Sequence, residues 1–498
     1  MSAIITEKFR QHNADQFVES FTETSNSTYY LFVGKATAYT SSTTGGSDST
    51  PPAPADAPGD TEFYAWDSML AAKNVTSSDV SYAIPRRNWA NGDTYDMYDD
   101  DISSSSTTTS GASNLYDSTF YFMTSDYRVY KVLDNNAGAA YSGAEPTSES
   151  TSPFELGGYV LKYMYAITTS EAAKYLTSDF IPVSNDSTIT AAATDGGIES
   201  LKITAGTGYT NGTYYAAIYG DGTSAGTSSG GIVRITVSGG VIQSFGLTAG
   251  SDTTLHAGGA AYTFGTVNLA SGYTFSDSGL SSASAIGGSG GAIEVVISPK
   301  NGHGYSAIKE LGGHYVMTAT TLTQAENDDI TTSNDFRQVG LVVDPTTYGT
   351  STVASSSTAR QTYVIKASSV SGTFEVDEKI TQATSGAVGK VVEYDSTLSL
   401  LYYQQERFGD FGTNSTTGDH SVFTGTNVIT GATSSATFTP SANSETITLA
   451  NNNTLATTSG YANPELQPDS GNIVYLENRK PIQRDSDQTE DIKLIIEF

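Results

Sequence analysis

Cysteine is absent from this chain of 498 residues. That excludes disulfide bracing, thiol nucleophiles and thiolate metal sites. Histidine is scarce, with five in all, and basic residues are few: 24 Lys and Arg stand against 53 Asp and Glu, a formal net charge of −29. A surface so acidic repels the phosphates of nucleic acid and of anionic lipid, so neither is an expected partner. Long apolar runs are missing too. None approaches the ~18 residues of a membrane-spanning helix, and the opening MSAIITEKFR lacks the apolar core of a secretory signal. The expectation is a chain that folds in a reducing cytosol, is not exported by a cleaved signal and has no membrane partner.

What is present points to strands. Glycine is abundant (49) and tyrosine outnumbers phenylalanine, 31 to 19. Ser and Thr fill the gaps between apolar residues, a composition that favours short strands joined by tight turns. A prior of about 150 residues per domain suggests roughly three domains. The expected fold class is mainly β, an antiparallel β-sandwich scaffold with an N-terminal helix, a few short helices and inserted small β-rich modules.

Along the chain, residues 3–22 read as a helix, with Ile5, Phe9, Phe17 and Phe21 spaced to share one face. TYYLFVGKATAY (28–39) reads as a strand. The Ser/Gly/Pro-rich stretch 41–60 reads as a loop, and TEFYAWDSMLAAKNV, which follows, as helical. Residues 118–135 suggest a hairpin with alternating aromatics, and 157–183 a strand, a short helix and a second strand. Val339 to Val343 reads as a buried strand.

Two internal repeats stand out. IESLKITAG (198–206) recurs as IQSFGLTAG (242–250), with a looser echo, IEVVIS, starting at Ile293. Gly239-Gly240 between apolar runs predicts a hairpin turn. FEVDEKITQATSGAV (374–388) recurs as FTGTNVITGATSSAT (423–437). Units this short cannot each bury an apolar face alone. The division read from this is scaffold at 1–190, an inserted Gly-rich β module at 191–298, scaffold at 299–365, a second module at 366–445, and a linker with C-terminal scaffold strands at 446–498.

Chemistry is sparse. Of His12, His256, His303, His314 and His420, only His303 and His314 are near each other, and no zinc spacing is present. Gly-rich turns holding surface or hydrogen-bonded imidazoles are the plainer reading. Asp96, Asp99, Asp100 and Asp101 lack the calcium-loop pattern and read as a solvated acidic turn. SGAVGK (385–390) lacks the first glycine and the hydroxyl residue of a phosphate loop. Glu294, Glu310 and Asp377 sit in folded-looking segments with nothing to pair them as a glycosidase would need. No enzyme activity, cofactor or metal is expected.

The most informative stretches are IPRRNW (84–89), FRQVGLVVDP (336–345) and the C-terminal VYLENRKPIQRDSDQTEDIKLIIEF. In these stretches the chain resembles the baseplate wedge protein called gene product eight of T-even-type contractile-tailed phages. Arg86, Arg87 and Trp89 are residue types that dominate protein interfaces, which favours a role bridging elements of a dimer or wedge, and the acidic run next door offers an internal partner nearly as readily. At the C-terminus the resemblance is carried by Glu477, Asn478, Arg479, Pro481 and Ile482, then Asp487 to Glu490. Weaker similarity lies at KFR (8–10), LFVGK (31–35), YKVLD (130–134) and GGYVLKYMYAI (157–167). The resemblance implies a structural virion protein of the tail baseplate, assembled in the host cytoplasm. It further implies a homodimer contacting the family's wedge proteins six, seven and ten, without catalysis. Arg86, Arg87, Trp89, Phe336, Arg337, Glu477, Asn478, Arg479 and Pro481 are the candidate scaffold or interface residues. The repeats lie outside the resemblance, and their Tyr-rich surfaces leave a glycan-binding adhesin or tail-fibre component as the alternative.

Overall fold

A computed structural model describes residues 5–23, 27–39, 45–55, 60–222, 230–269, 272–276, 279–284, 286–332, 334–407, 420–449, 452–485 and 487–498. The chain is mainly β, with several antiparallel sheets and few, short helices. It forms two compact units, one of residues 1–16, 81–317 and 495–498, the other of residues 17–80 and 318–494.

The second unit is built on a five-stranded sheet whose order is Thr358–Arg360, Met69–Val75, Tyr29–Gly34, Phe336–Val343 and Asn472–Ile482. Tyr29 to Gly34 are all buried because the sheet is covered on both faces. Tyr29, Leu31 and Val33 enter one core with Phe336, Val339 and Leu341. Tyr30 and Phe32 face the other core, where Ala65 and Trp66 of the helix Asp60–Ser68 cover them. The alternation is that of side chains along a pleated strand. The segment read as wholly helical at 61–75 therefore changes state midway: the helix ends at Ser68 and Met69–Val75 is a strand. Pairing with Tyr29–Gly34 overrides the helix propensity of Met-Leu-Ala-Ala-Lys.

A seven-stranded sheet in the same unit holds the second repeat. Lys379–Gln382 pairs antiparallel with Ile429–Gly431, and Thr381 lies opposite Thr430, its own counterpart in the repeat. An antiparallel pair centred on equivalent residues is a local pseudo-two-fold. Phe374 and Phe423, Ile380 and Ile429, and Ala387 and Ala436 accordingly share one core. The SGAVGK segment is the end of the first copy's hairpin turn, Ser385 and Gly386 with φ +74° at the glycine, followed by the start of the strand Ala387–Asp395, not a loop leading into a helix.

The first unit has a four-stranded sheet of Tyr121–Met123, Arg128–Asp134, Tyr159–Ala166 and Phe154–Leu156. Its aromatics divide by face: Phe122, Tyr130 and Tyr163 enter one core, Tyr121 and Tyr165 another. The strand–helix–strand expectation at 157–183 corresponds to Tyr159–Ala166, Thr169–Tyr175 and Phe180–Pro182. A nine-stranded sheet carries the Gly-rich repeat. Its hairpin turns at Gly239 and Gly240, with φ +65° and +78°, between Ile232–Ser238 and Val241–Ile242. Ile198 and Leu201 of one copy and Ile242 and Phe245 of the other share a core. Only the first copy, however, continues as a strand, Ser200–Tyr209.

The N-terminal helix runs Glu7–Glu19. Its apolar residues do not share a buried face as expected: Ile5 and Phe9 are 62% and 55% exposed, whereas Phe21 is buried. Phe17 and Phe21 instead pack with Tyr29 in the second unit, at ring separations of 5.3 Å between themselves and 4.2 Å from Phe21 to Tyr29.

Candidate functional site

In the first unit, Pro85 ends the strand Val80–Pro85 and the two arginines follow at once. Both are half-buried and bonded within the unit. Arg86 donates from Nη1 to the Thr177 carbonyl (2.7 Å) and from Nε to Asn88 Oδ1 (2.9 Å). Arg87 donates from Nη2 to the Tyr116 carbonyl (2.8 Å), and its guanidinium lies 4.4 Å from the centre of the Tyr121 ring. Trp89 meets Tyr141 edge-on at 5.8 Å, and its backbone N–H donates to the Met123 carbonyl (2.8 Å). The Arg87 side chain, through Tyr121, and the Trp89 backbone, through Met123, tie the loop to the four-stranded sheet, while Arg86 ties it to Thr177. Arg87→Ala is expected to lower the stability of this unit by about 1–2 kcal/mol, the loss of one hydrogen bond and one cation–π contact. Urea unfolding followed by Trp89 fluorescence in a Trp66→Phe background measures it.

In the second unit Phe336 is fully buried and Arg337 is 7% exposed. The Arg337 fork grips Asp48 with two bonds of 3.0 Å, while Nη1 donates to the Ala36 carbonyl. This fork holds the Asp48 carboxyl below its usual range. One residue on, Gln338 lies opposite Asn478 and donates to its Oδ1 (2.9 Å), and Asn478 in turn donates to the Pro52 carbonyl (3.1 Å). Thus Phe336, Arg337 and Asn478 converge on one sheet, and Asn478 fixes the strand's register. Glu477 and Arg479 are different. They form a half-exposed ion pair of 3.5 Å on the edge strand Asn472–Ile482, beside exposed Lys480 and half-buried Pro481. Val474, on the same strand, is 51% exposed. Of the nine sequence candidates, Arg479 is the one whose side chain is exposed, about half of it open to solvent.

The acidic turn is not solvated throughout. Asp96 is 1% exposed and accepts from Ser110 N (2.8 Å), Ser110 Oγ (2.6 Å) and Thr119 N (2.9 Å). Asp99 pairs with Lys202 at 2.6 Å, and Asp100 accepts from Ile297 N (2.8 Å). The histidine pair is likewise buried rather than on the surface, with His303 and His314 1% and 5% exposed. Glycines at 302, 304, 312 and 313 let the surrounding chain close over them. His314 lies 3.2 Å from Glu7. Among the described residues, no group of three or more His, Cys, Asp or Glu side chains could hold a metal ion. A cavity of about 320 Å³ in the second unit is lined by Trp66, Asp67, Tyr363, Arg407 and Asp469. Its cation is already committed, since Arg407 bonds Asp67 and Asp469 at 2.8 and 2.7 Å.

Sequence reading missed the pair Lys131 and Lys162 in the first unit. Both are within 1% of full burial and lie directly opposite each other across neighbouring strands. The signal was available: each is a lone lysine between apolar neighbours, in VYKVL and VLKYM, on a strand buried on both faces.

A protein-family model described as bacteriophage T4, Gp8 matches residues 3–145 and 441–498. These segments contain the N-terminal helix, IPRRNW and both C-terminal strands; both repeats lie outside them, as does FRQVGLVVDP. No curated protein matches the chain.

Proposed function

We propose that this chain, which belongs to the Gp8 family of phage baseplate wedge proteins, is a scaffolding subunit that holds neighbouring wedge proteins at fixed separations. The observation that carries the reading is the family match in both terminal segments, which contribute strands to the folded units. The family is structural, and the role assigned here is mechanical. A homodimer closed by a two-fold interface would contact relatives of wedge proteins six, seven and ten, and would move largely as a rigid body when the tail contracts. Residues 191–298 and 366–445 serve as added modules on that scaffold. The edge strand Asn472–Ile482, with Val474, Arg479 and Lys480 exposed, supplies a contact surface of the kind that pairs with another chain.

The purified chain is expected to form a complex of defined mass when mixed with the wedge proteins of its own phage. Arg479→Ala is expected to weaken that complex while leaving urea unfolding unchanged, because the side chain is exposed. A chain that stays free of every wedge protein, or that releases reducing ends from envelope polysaccharide, would sink the proposal. A second reading, glycan binding, is favoured by Tyr219 and Phe264, which are 44% and 58% exposed on the Gly-rich module. It requires the free protein to bind host envelope sugar.

A further inference from the structure

The least expected chemistry of the molecule lies in the core of the first unit. Lys131, on the strand Arg128–Asp134, is completely buried, and its Nζ donates to Oε2 of Glu310, whose side chain is 3% exposed. Directly opposite Lys131 in the antiparallel register stands Lys162, whose Nζ lies 3.2 Å from Glu199. Two ammonium groups face to face in a sheet core repel each other and lose their hydration, and an ordinary ion pair only partly offsets that loss. Burial pushes the Lys131 amine down from its usual range, towards the neutral, nucleophilic form.

Glu310 is presented to that amine in a particular way. Its Oε1 accepts from two backbone N–H groups, Gly304 at 2.8 Å and Ser306 at 3.2 Å, while Oε2 faces Lys131. Two fixed N–H donors on one carboxyl oxygen are the arrangement that stabilises an oxyanion when a nucleophile adds to the carbon. The ring of His303 is buried in the same place, 4.9 Å edge-on from Tyr98, and Lys131 Nζ lies 5.0 Å from the Tyr98 ring centre. Neither His303 nitrogen has a hydrogen-bond partner. Burial, with Lys131 and Lys162 nearby, holds this imidazole neutral.

We propose that Lys131 and Glu310 are a covalent modification site, at which an intramolecular isopeptide bond forms between Lys131 Nζ and Glu310 Cδ. Transfer of a proton from Nζ to Oε2 across their hydrogen bond leaves a neutral amine beside a carboxylic acid; the amine attacks Cδ, and the negative charge that develops on Oε1 is held by the Gly304 and Ser306 N–H groups. The nitrogen gives up one proton directly to Oε2, its hydrogen-bond partner. Oε2 then leaves as water, and the C–N bond remains as a secondary amide. One water is released, and nothing is oxidised or reduced. The bond would join segments 179 residues apart in a chain that has no cysteine with which to make a disulfide.

The test is the mass of the full-length chain under denaturing conditions. The expected result is a mass lighter than the sequence by one water, with a branched tryptic peptide joining residues 131 and 310 and no cleavage after Lys131. The closed loop should also make the boiled protein migrate faster in denaturing gels than Lys131→Ala or Glu310→Ala, both of which should show full mass. A wild-type chain at full sequence mass, with separate linear peptides covering Lys131 and Glu310, overturns the proposal. Because the wild-type measurement decides, poor folding of the variants does not blunt it.

Discussion

Phe336→Ala is expected to lower the stability of the second unit by about 4 kcal/mol, in the range for removing a fully buried Phe ring. Phe336 is completely buried and begins the strand that joins the N-terminal and C-terminal parts of the five-stranded sheet. It lies opposite Ile482 and shares a core with Leu31, Val33, Leu341 and Leu494. Little can collapse into the space it leaves, because strands on both sides are held by ladder hydrogen bonds. The two tryptophans allow a clean measurement, since Trp66 lies in the second unit and Trp89 in the first. In a Trp89→Phe background, the urea midpoint followed by Trp66 fluorescence should fall sharply. Amide exchange along Asn472–Ile482 should rise with it. A loss below about 1 kcal/mol would mean that the ring is not part of a close-packed core.

The second large effect is on pH dependence. Glu393 lies on the strand Ala387–Asp395, opposite Tyr402, and its carboxyl is pushed up to about 7 from 4.5, first by burial and then by the nearby Asp395 and Asp328 carboxylates. A folded-state value above the unfolded one means that the native protein binds this proton more tightly. The resulting stabilisation is complete below pH 4.5 and is lost as pH rises through about 7. Its size follows from the shift and is about 3 kcal/mol. Glu393→Gln, neutral at every pH, should therefore remove this slope and make the second unit more stable than wild type at pH 8. Asp329 in the same unit, raised to about 6 mainly by burial, has the same sign and persists in both proteins, so the difference between them isolates Glu393. Parallel stability curves for the two from pH 4.5 to 8 would show that Glu393 is solvated when ionised.

The histidines act in the opposite direction. His303, held neutral by burial, favours the folded state above its ordinary value of 6.5 and costs stability as pH falls below it. The acid limb of the first unit and the alkaline slope of the second should thus be separable by the same pair of tryptophans.

Local patterns made much of the architecture legible. Alternating aromatics at 118–135 gave a hairpin, Gly239-Gly240 gave its turn, and the sheet-forming C-terminus proved to be paired rather than frayed. The repeats read as units too small to bury an apolar face alone, and in the structure the matching Phe, Ile and Ala positions of the second repeat enter one core, as do Ile198, Leu201, Ile242 and Phe245 of the first. The errors have a common cause. Met69–Val75 looked helical because its residues suit a helix, and Ile5 and Phe9 looked buried because their spacing suits an amphipathic face. In both cases the outcome depends on what another part of the chain offers as a partner.

The amino-acid sequence by itself determined that this is a mainly β, cysteine-free, acidic protein, since composition, turn chemistry and period-two alternation act over a few neighbouring residues. Only the tertiary structure decided which polar groups are buried and what they meet: Arg337 on Asp48, Asn478 on Gln338, and Lys131 on Glu310. Those pairings join residues more than a hundred positions apart. Their chemistry comes from the exclusion of water, which no local stretch of sequence can specify.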